Sequence, residues 1–540
     1  MNWQGILFAL ALGLLAHSFI GYAPFPFGDD FAYAPLTEIR LDPSLFPRDE
    51  QLRMFSNHAL VYEAIYRLGL WGPGVEPVFR IAVWVLAGAV AVAVLAILRR
   101  LGAPAWALPV VVGLGVVVAL PGLGRGHFGG LISPFFHHHN VALALVLGAV
   151  AMALARRVWL AGILLGVAAY AQPMTAFHGA AIVGLGALFQ RPGDTLPMAA
   201  AAIGVAIPAA IPILGSMIAT SDANTQIDLI QDAYRFRSPA HYDPPWSHIG
   251  LTSLYLLAGW AGAALMLRTG RAGGRFAVGA MAALTALHLV TLIVYKWQIT
   301  DWVGFFILDA TRSSSLGFVL GPVFAIAAVH DRLREPVALA MVALLAALAV
   351  LNGVPAGMLL LALGIGMIFL DRVVRARQLL AIGLATSLVL LFPARPLPPP
   401  LPESSRIALE RIRTETPVDA LFVIPVSLME FRHYAQRSAY VDFKLFSVAQ
   451  PEQAALTRTR IDQVTRPAPD VETLEGWLGA QAWDEATRRA ATCEYMEDIL
   501  NEVGAEYYVR PLVAGEAAPQ CDGLPSAIQT ETLAIYGPVA

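Results

Sequence analysis

The sequence predicts a polytopic α-helical membrane protein of about thirteen transmembrane helices, with a C-terminal periplasmic α/β domain. Three observations carry that expectation. Of 540 residues, 57% are hydrophobic and 14% charged, where soluble chains hold about 25% charged. Mean hydropathy is +0.62. Apolar segments recur along the chain until a proline run near residue 400, after which the composition turns charged. These observations argue against a soluble enzyme, a disordered chain or a nucleic-acid binder. A formal net charge of -3 gives no phosphate-seeking surface.

A bilayer core about 30 Å thick needs about 20 apolar residues per helix. Such segments fall at roughly 3–22, 79–98, 104–121, 141–155, 158–170, 174–190, 197–219, 249–267, 276–295, 313–330, 336–352, 354–370 and 379–393. The pair 158–170 and 174–190, broken at Gln172-Pro173, reads as two spans or as one re-entrant hairpin. Alternate turns carry arginine: Arg99-Arg100, Arg156-Arg157, Arg191, Arg268 with Arg271 and Arg275, Arg332 with Arg334, and Arg372 with Arg375 and Arg377. Short arginine-rich turns stay in the cytoplasm, and this map puts all of them on one side. The first segment lacks a charged lead and reads as a retained anchor. The expected setting is a bacterial inner membrane, with the amino terminus cytoplasmic and the carboxy-terminal domain periplasmic. The expected units are a membrane domain over 1–393, a proline-rich linker over 394–402 and an outer domain over 403–540.

The spans hold no carboxylate in their middles, which weakens a coupled-carrier reading. Most histidines fall on the outer side: His58, His127, His137, His138, His139, His178, His241, His248 and His433. The first outer loop, 23–78, begins Gly28-Asp29-Asp30-Phe31-Ala32-Tyr33-Ala34. Further along, Leu52, Phe55, Ala59, Tyr62 and Tyr66 recur at helical spacing, which predicts an interfacial helix with Asp49 as its N-cap. Adjacent carboxylates at a membrane boundary are costly unless solvated, paired or bound to a cation. Asp29-Asp30 therefore reads either as a hydrated loop or cap, or as a base beside a metal ligand.

Asp29-Asp30-x-x-Tyr33-Ala34, just after a first membrane helix, resembles the Asp-Glu-x-x-Tyr start of the first outer loop in GT-C glycosyltransferases. These include protein O-mannosyltransferases and aminoarabinose transferases. The interfacial helix, the outer carboxy-terminal domain and the alternation of short helices resemble that superfamily as well. The resemblance implies that Asp29 activates the acceptor and that Asp30 sits beside it at the metal or acceptor. The family enters its interfacial helix at once, whereas this chain inserts a proline-bearing stretch from Pro35 to Pro47.

Other outer-face groups are candidates in their own right. His137-His138-His139 opens a span, and clustered histidine can hold metal or simply solvate a helix start. His178 follows the Gln172-Pro173 break, and broken helices at membrane depth line cavities. His241 and Tyr242 sit in a proline-rich loop that reads equally as a plain turn. Arg312 precedes Ser313-Ser314-Ser315 at a helix start, suited to a lipid phosphate or to anchoring at the interface. Candidate substrate contacts are thus Tyr33, His178, His241, Tyr242 and Arg312; candidate metal ligands are Asp29, Asp30 and His138. His17 and His288, inside spans, read as packed or hydrogen-bonded.

In the outer domain, 420–425, 439–443 and 506–510 read as buried strands, with helices near 403–413, 428–436, 452–463, 481–491 and 494–503. Arg432, Arg437, Asp442 and Lys444 read as a solvated charged cluster. Lys444 and Lys296 are the only lysines in an arginine-rich chain, a bias ascribed to coding. Cys493 and Cys521 are the only cysteines, so they have no competing partner and are expected to form a disulfide worth roughly 3 kcal/mol.

The reading that joins these features is a GT-C-like glycosyltransferase. It would move a sugar from a polyprenyl-phosphate donor in the membrane bilayer to a glycan, lipid or protein acceptor, with Mg or Mn as the divalent cation if one is used. A non-catalytic envelope protein that binds or presents a lipid-linked glycan, and a lipid or glycan carrier, stay open beside it. The arginine alternation makes a direct topological prediction: a reporter fused after Arg377 reads cytoplasmic and one fused at Ser404 reads periplasmic. Both reporters on one side would contradict the map.

Overall fold

The computed structural model describes residues 3–20, 22–55, 60–105, 107–117, 133, 135–219, 244–297, 308–331, 401–446, 450–465, 476–513 and 515–538. The expected segments at 336–352, 354–370 and 379–393, and most of the linker, lie outside the described residues.

The apolar part is a helical bundle. It comprises α1 (Trp3–Ile20), α5 (Val75–Arg100), α6 (Ala107–Val117), α7 (His138–Leu154), α8 (Val158–Ala171), α9 (Pro173–Gln190), α10 (Thr195–Ala219), α11 (Trp246–Arg268), α12 (Gly274–Thr291) and α13 (Ser313–Val329). Among the described residues, four helices are long and apolar enough to cross a membrane by length and composition: Val75–Arg100, Trp246–Arg268, Gly274–Lys296 and Ala310–Val329. Small residues let neighbouring helices touch at backbone distance. A Cβ on Gly279 of α12 would meet the Leu185 carbonyl of α9 at 2.3 Å, and one on Gly162 of α8 would meet the Met198 carbonyl of α10 at 2.3 Å. The break at Gln172-Pro173 is present. Gln172 ends α8 and caps α9, its side-chain oxygen accepting from Thr175 N–H at 2.5 Å, with Pro173 in the first helical turn.

The first loop differs from expectation at two points. The helix α2 (Asp30–Leu41) starts at Asp30 itself, with Pro35 inside it. The proline-bearing insertion is therefore helical over its first part. An internal proline costs about 3 kcal/mol of helix propensity; here most of the helix is buried, and tertiary packing offsets the loss. The stripe read as one interfacial helix is split into α3 (Glu50–Met54) and α4 (Leu60–Trp71), with Phe55 extended at the end of α3. Asp49 does cap α3, accepting from Leu52 N–H at 2.9 Å. Leu52, Phe55, Tyr62 and Tyr66 pack with Tyr33, Phe79, Phe136 and, from the far end of the chain, Leu445.

The carboxy-terminal part holds a five-stranded sheet of order β2-β1-β3-β5-β4. Its strands are β1 (Leu421–Val423), β2 (Ser438–Ala439), β3 (Tyr507–Pro511), β4 (Ser526–Gln529) and β5 (Leu533–Tyr536). β1 runs parallel to β2 and β3, and β5 antiparallel to β3 and β4. Helices α14 (Glu403–Glu415), α15 (Phe431–Ala435), α16 (Pro451–Val464), α17 (Gly476–Arg489) and α18 (Cys493–Val503) accompany it. Of the expected strand at 439–443, only its start is a strand; the rest is irregular and carries Asp442 and Lys444. In the structure Cys493 and Cys521 are bonded, their Cα atoms 5.4 Å apart.

The cluster expected to be solvated is instead buried. Arg432 is 0% exposed and Asp442 1%. The Arg432 guanidinium donates to both oxygens of Asp49, at 2.6 and 3.1 Å, to Gln51 Oε1 at 3.1 Å and to Asp442. Asp49 Oδ2 also accepts from Ala439 N–H at 3.0 Å, and Gln51 Nε2 donates to the Asp442 carbonyl at 2.8 Å. Arg437 donates to the carbonyls of Arg413 and Thr416, each at 2.6 Å. The physical reason is saturation: every charge in the cluster has directed partners, so burial is tolerated.

Removing the shared cation should therefore be costly. Arg432→Met leaves two carboxylates buried together, and the expected loss is about 3–5 kcal/mol, read by chemical denaturation of detergent-solubilised protein. Adding D49N and D442N to R432M should recover part of it. A loss within about 0.5 kcal/mol, as for a surface change, would contradict the arrangement.

Candidate functional site

Asp29 and Asp30 stand at the head of α2, where Gly28 turns the chain with φ 61. That left-handed conformation suits glycine. Asp29 occupies the N-cap but makes no side-chain cap bond, so its carboxylate is available elsewhere. One oxygen lies 2.7 Å from Nε2 of His137, and the other accepts from the Lys444 ammonium. Asp30 turns the opposite way: it is 2% exposed and accepts from Phe27 N–H at 2.8 Å.

The three consecutive histidines take three separate tasks, because successive side chains at a helix start diverge by about 100°. His137 caps α7, its Nδ1 accepting from His139 N–H at 3.1 Å. Nε2 must then carry the proton that His137 donates to Asp29. His138 stacks on His137 at 4.4 Å and sets its ring edge-on to Tyr33 at 5.1 Å. His139 points into the bundle, with Nδ1 at 2.6 Å from Thr175 Oγ1 and Nε2 at 3.1 Å from Ser315 Oγ. Ser315 in turn donates to the Arg312 carbonyl at 2.7 Å. Arg312 is paired with Asp309, a non-glycine residue at φ 45, and His178 Nε2 donates to the adjacent Leu308 carbonyl at 3.0 Å.

The structure thus gathers Asp29, Asp30, Tyr33 and His138 at one place. His178 and Arg312 form a second group, linked to the first through His139, Thr175 and Ser315. His241 and Tyr242 lie outside the described residues. Sequence reasoning passed over His137 and Lys444 as contacts of Asp29. Lys444 did carry a signal, as one of two lysines in an arginine-rich chain.

The two neighbouring carboxyls are driven apart electrostatically. Burial pushes Asp30 up to about 8, and the Asp29 charge adds to that against the Phe27 N–H. Burial would raise Asp29 as well, but the Lys444 ammonium and the His137 ring together hold it well below the usual carboxylate range. At neutral pH the pair is one carboxylate beside one carboxylic acid. Asp29, His137 and His138 can each offer a ligand atom, all within 4.8 Å of one another. One carboxylate and two imidazoles suit a divalent transition ion, with His137 then shifting its proton to Nδ1 and giving up the cap bond from His139 N–H. Asp30 is absent from that donor set, and His137 stands in it instead.

A family model described as a domain of unknown function, DUF6798, matches residues 403–464. No curated protein matches the sequence. Among solved structures the chain is similar to ArnT from Cupriavidus metallidurans bound to undecaprenyl phosphate, at 14% identity over 99% of this chain and 97% of that one, TM-score 0.48. It is also similar to the Archaeoglobus fulgidus oligosaccharyltransferase in the apo form, at 14% identity over 94% of this chain and 69% of that one, TM-score 0.46. The third is AglB of the same organism with an inhibitory peptide and a dolichol-phosphate, at 13% identity over 94% and 70%, TM-score 0.42.

The neutral Asp30 sets a pH dependence. The folded chain holds this proton up to about pH 8, while the unfolded chain releases it near 3.8. The stabilising share of the group is therefore complete below about pH 4 and is lost as pH rises toward 8. Asp30→Asn copies the protonated form. Its melting temperature should gain on wild type steadily between pH 5 and pH 8 and then level off. A difference independent of pH would show that Asp30 is ionised throughout.

Proposed function

We propose that this chain is a membrane glycosyltransferase of the GT-C kind. It transfers a sugar from a polyprenyl-phosphate donor to a glycan, lipid or protein acceptor at the periplasmic face of a bacterial inner membrane. The observation that carries the proposal is the adjacent pair Asp29–Asp30 at the head of α2, with Asp29 held by His137 and Lys444 and Asp30 by Phe27 N–H. The Asp29-Asp30-x-x-Tyr33 motif that resembles the superfamily is the same segment. In the division proposed here, 1–393 binds the lipid donor and 403–540 closes over the site and recognises the acceptor.

The acceptor hydroxyl gives its proton to Asp29, its oxygen bonds to the anomeric carbon, and the bond from that carbon to the phosphate oxygen breaks with its electron pair leaving on phosphate. Asp30, protonated, can donate a hydrogen bond to a substrate oxygen. In this reading Arg312, now paired with Asp309, turns to the departing phosphate and stabilises its charge. The donors Asp29, His137 and His138 would hold a divalent transition ion such as Mn rather than Mg, which would supply further charge stabilisation. While Lys444 and His137 bind Asp29, the carboxylate is a poor base, so release of the Lys444 contact accompanies reaction. That same ion pair favours a second reading, a non-catalytic protein that binds or presents a lipid-linked glycan.

Asp29→Asn separates the two. A general base contributes about 10²–10⁴-fold in rate, so transfer from a labelled lipid-linked sugar should fall by that factor while the protein still reaches the membrane folded, with a lower melting temperature because the Lys444 ion pair is lost. Unchanged transfer would remove the base assignment. Absence of transfer in wild type, with glycan binding retained in both proteins, would favour the presenting role.

A further inference from the structure

We infer that Lys444 is a built-in counter-cation for Asp29, and that its ammonium and a divalent metal ion exclude one another at this carboxylate. Asp29 has two oxygens, and both are engaged: one by His137 Nε2 at 2.7 Å, the other by Lys444. The ligand atoms of Asp29, His137 and His138 lie within 4.8 Å of one another, a spacing that a divalent ion could bridge. An ion placed there would need the His137 proton to leave Nε2, and it would sit against the Lys444 ammonium. The Lys444 side chain is only 12% exposed, His137 14% and Asp29 28%, so water screens such a pair of cations poorly. One of them has to leave.

The backbone around Lys444 is fixed. Asp442 is held by Arg432 and Gln51 and accepts from Leu445 N–H at 2.9 Å. The Leu445 side chain is seated in the aromatic cluster of the first loop. The lysine stem, by contrast, has four rotatable bonds and ends in a compact charge. The exchange is therefore a swing of one side chain on a fixed backbone. Lys444 comes from the far end of the sequence, so cation entry at Asp29 is controlled by the carboxy-terminal segment. The inference concerns the carboxylate used in the proposed transfer but needs no transfer to occur, because cation binding is read without any sugar present.

The probe is Mn²⁺ alone, titrated into the purified full-length protein and followed by the loss of its free electron-paramagnetic signal. Removing the competing tethered charge should let Lys444→Gln bind Mn²⁺ at least about tenfold more tightly than wild type, a shift of about 1.4 kcal/mol. K444R keeps the charge and should stay close to wild type. The double variant K444Q with D29N should lose the gain, which would place the ion at Asp29. K444M is a second neutral replacement, and elution as a single species together with the melting temperature confirms folding of each variant. Equal Mn²⁺ affinity in wild type and both neutral variants, whether tight or absent, would overturn the inference. So would a gain that survives D29N.

Discussion

The arrangement depends on one buried guanidinium. Arg432 bridges Asp49, from the first loop, and Asp442, nearly 400 residues later. A buried ion pair gains little net stability over apolar packing, because desolvation cancels most of the Coulomb attraction. What it does supply is register. Asp49 simultaneously caps α3 and receives the Ala439 N–H, so the loop, the end of β2 and the guanidinium fit in one way only. Two residues beyond Asp442 the chain delivers Lys444 to Asp29. The next residue, Leu445, enters the aromatic cluster that carries Tyr33 and Tyr62. A contact that looks purely structural thus sets the charge next to the candidate base.

The site follows from a second constraint, the crowding of titratable groups into partly dry space. Two adjacent carboxyls cannot both stay ionised there without help. Lys444 and His137 stabilise the charge on Asp29, and Asp30, pointing into the loop core, takes up the proton. The histidine run distributes its rings in the same spirit. One orients toward the acid, one packs on Tyr33, and one ties the head of α7 to α9 and α13. The backbone N–H of that last histidine bonds His137, the partner of Asp29, and its ring reaches Ser315, which donates to the Arg312 carbonyl.

Much of this was legible in the sequence where a local rule governs. Apolar length marked the described bundle helices, the capping geometry of Asp49 and the Gln172-Pro173 break followed from residue type, and the cysteine pair followed from having no rivals. What was not legible depended on distant partners. Pro35 argues against a helix until the burial of α2 is known. A run of Arg432, Arg437, Asp442 and Lys444 reads as solvated because three of its partners, Asp49, Gln51 and Asp29, lie in the first loop. The hairpin of β4 and β5 has short strands, one of them mostly solvent-facing, and left little alternation to read. His137 was indistinguishable from its neighbours, since only the cap conformation decides which of three rings turns outward.

The central claim is that the carboxy-terminal segment brings Lys444 to Asp29. The most direct measurement is bridging of a D29C and K444C pair by a short bismaleimide in intact membranes, read as the intact mass of the purified chain. The account predicts a single internal bridge in the double variant, lost when Arg432→Met releases the segment. Two independently capped thiols with no bridge, in protein that folds and reaches the membrane, would contradict it.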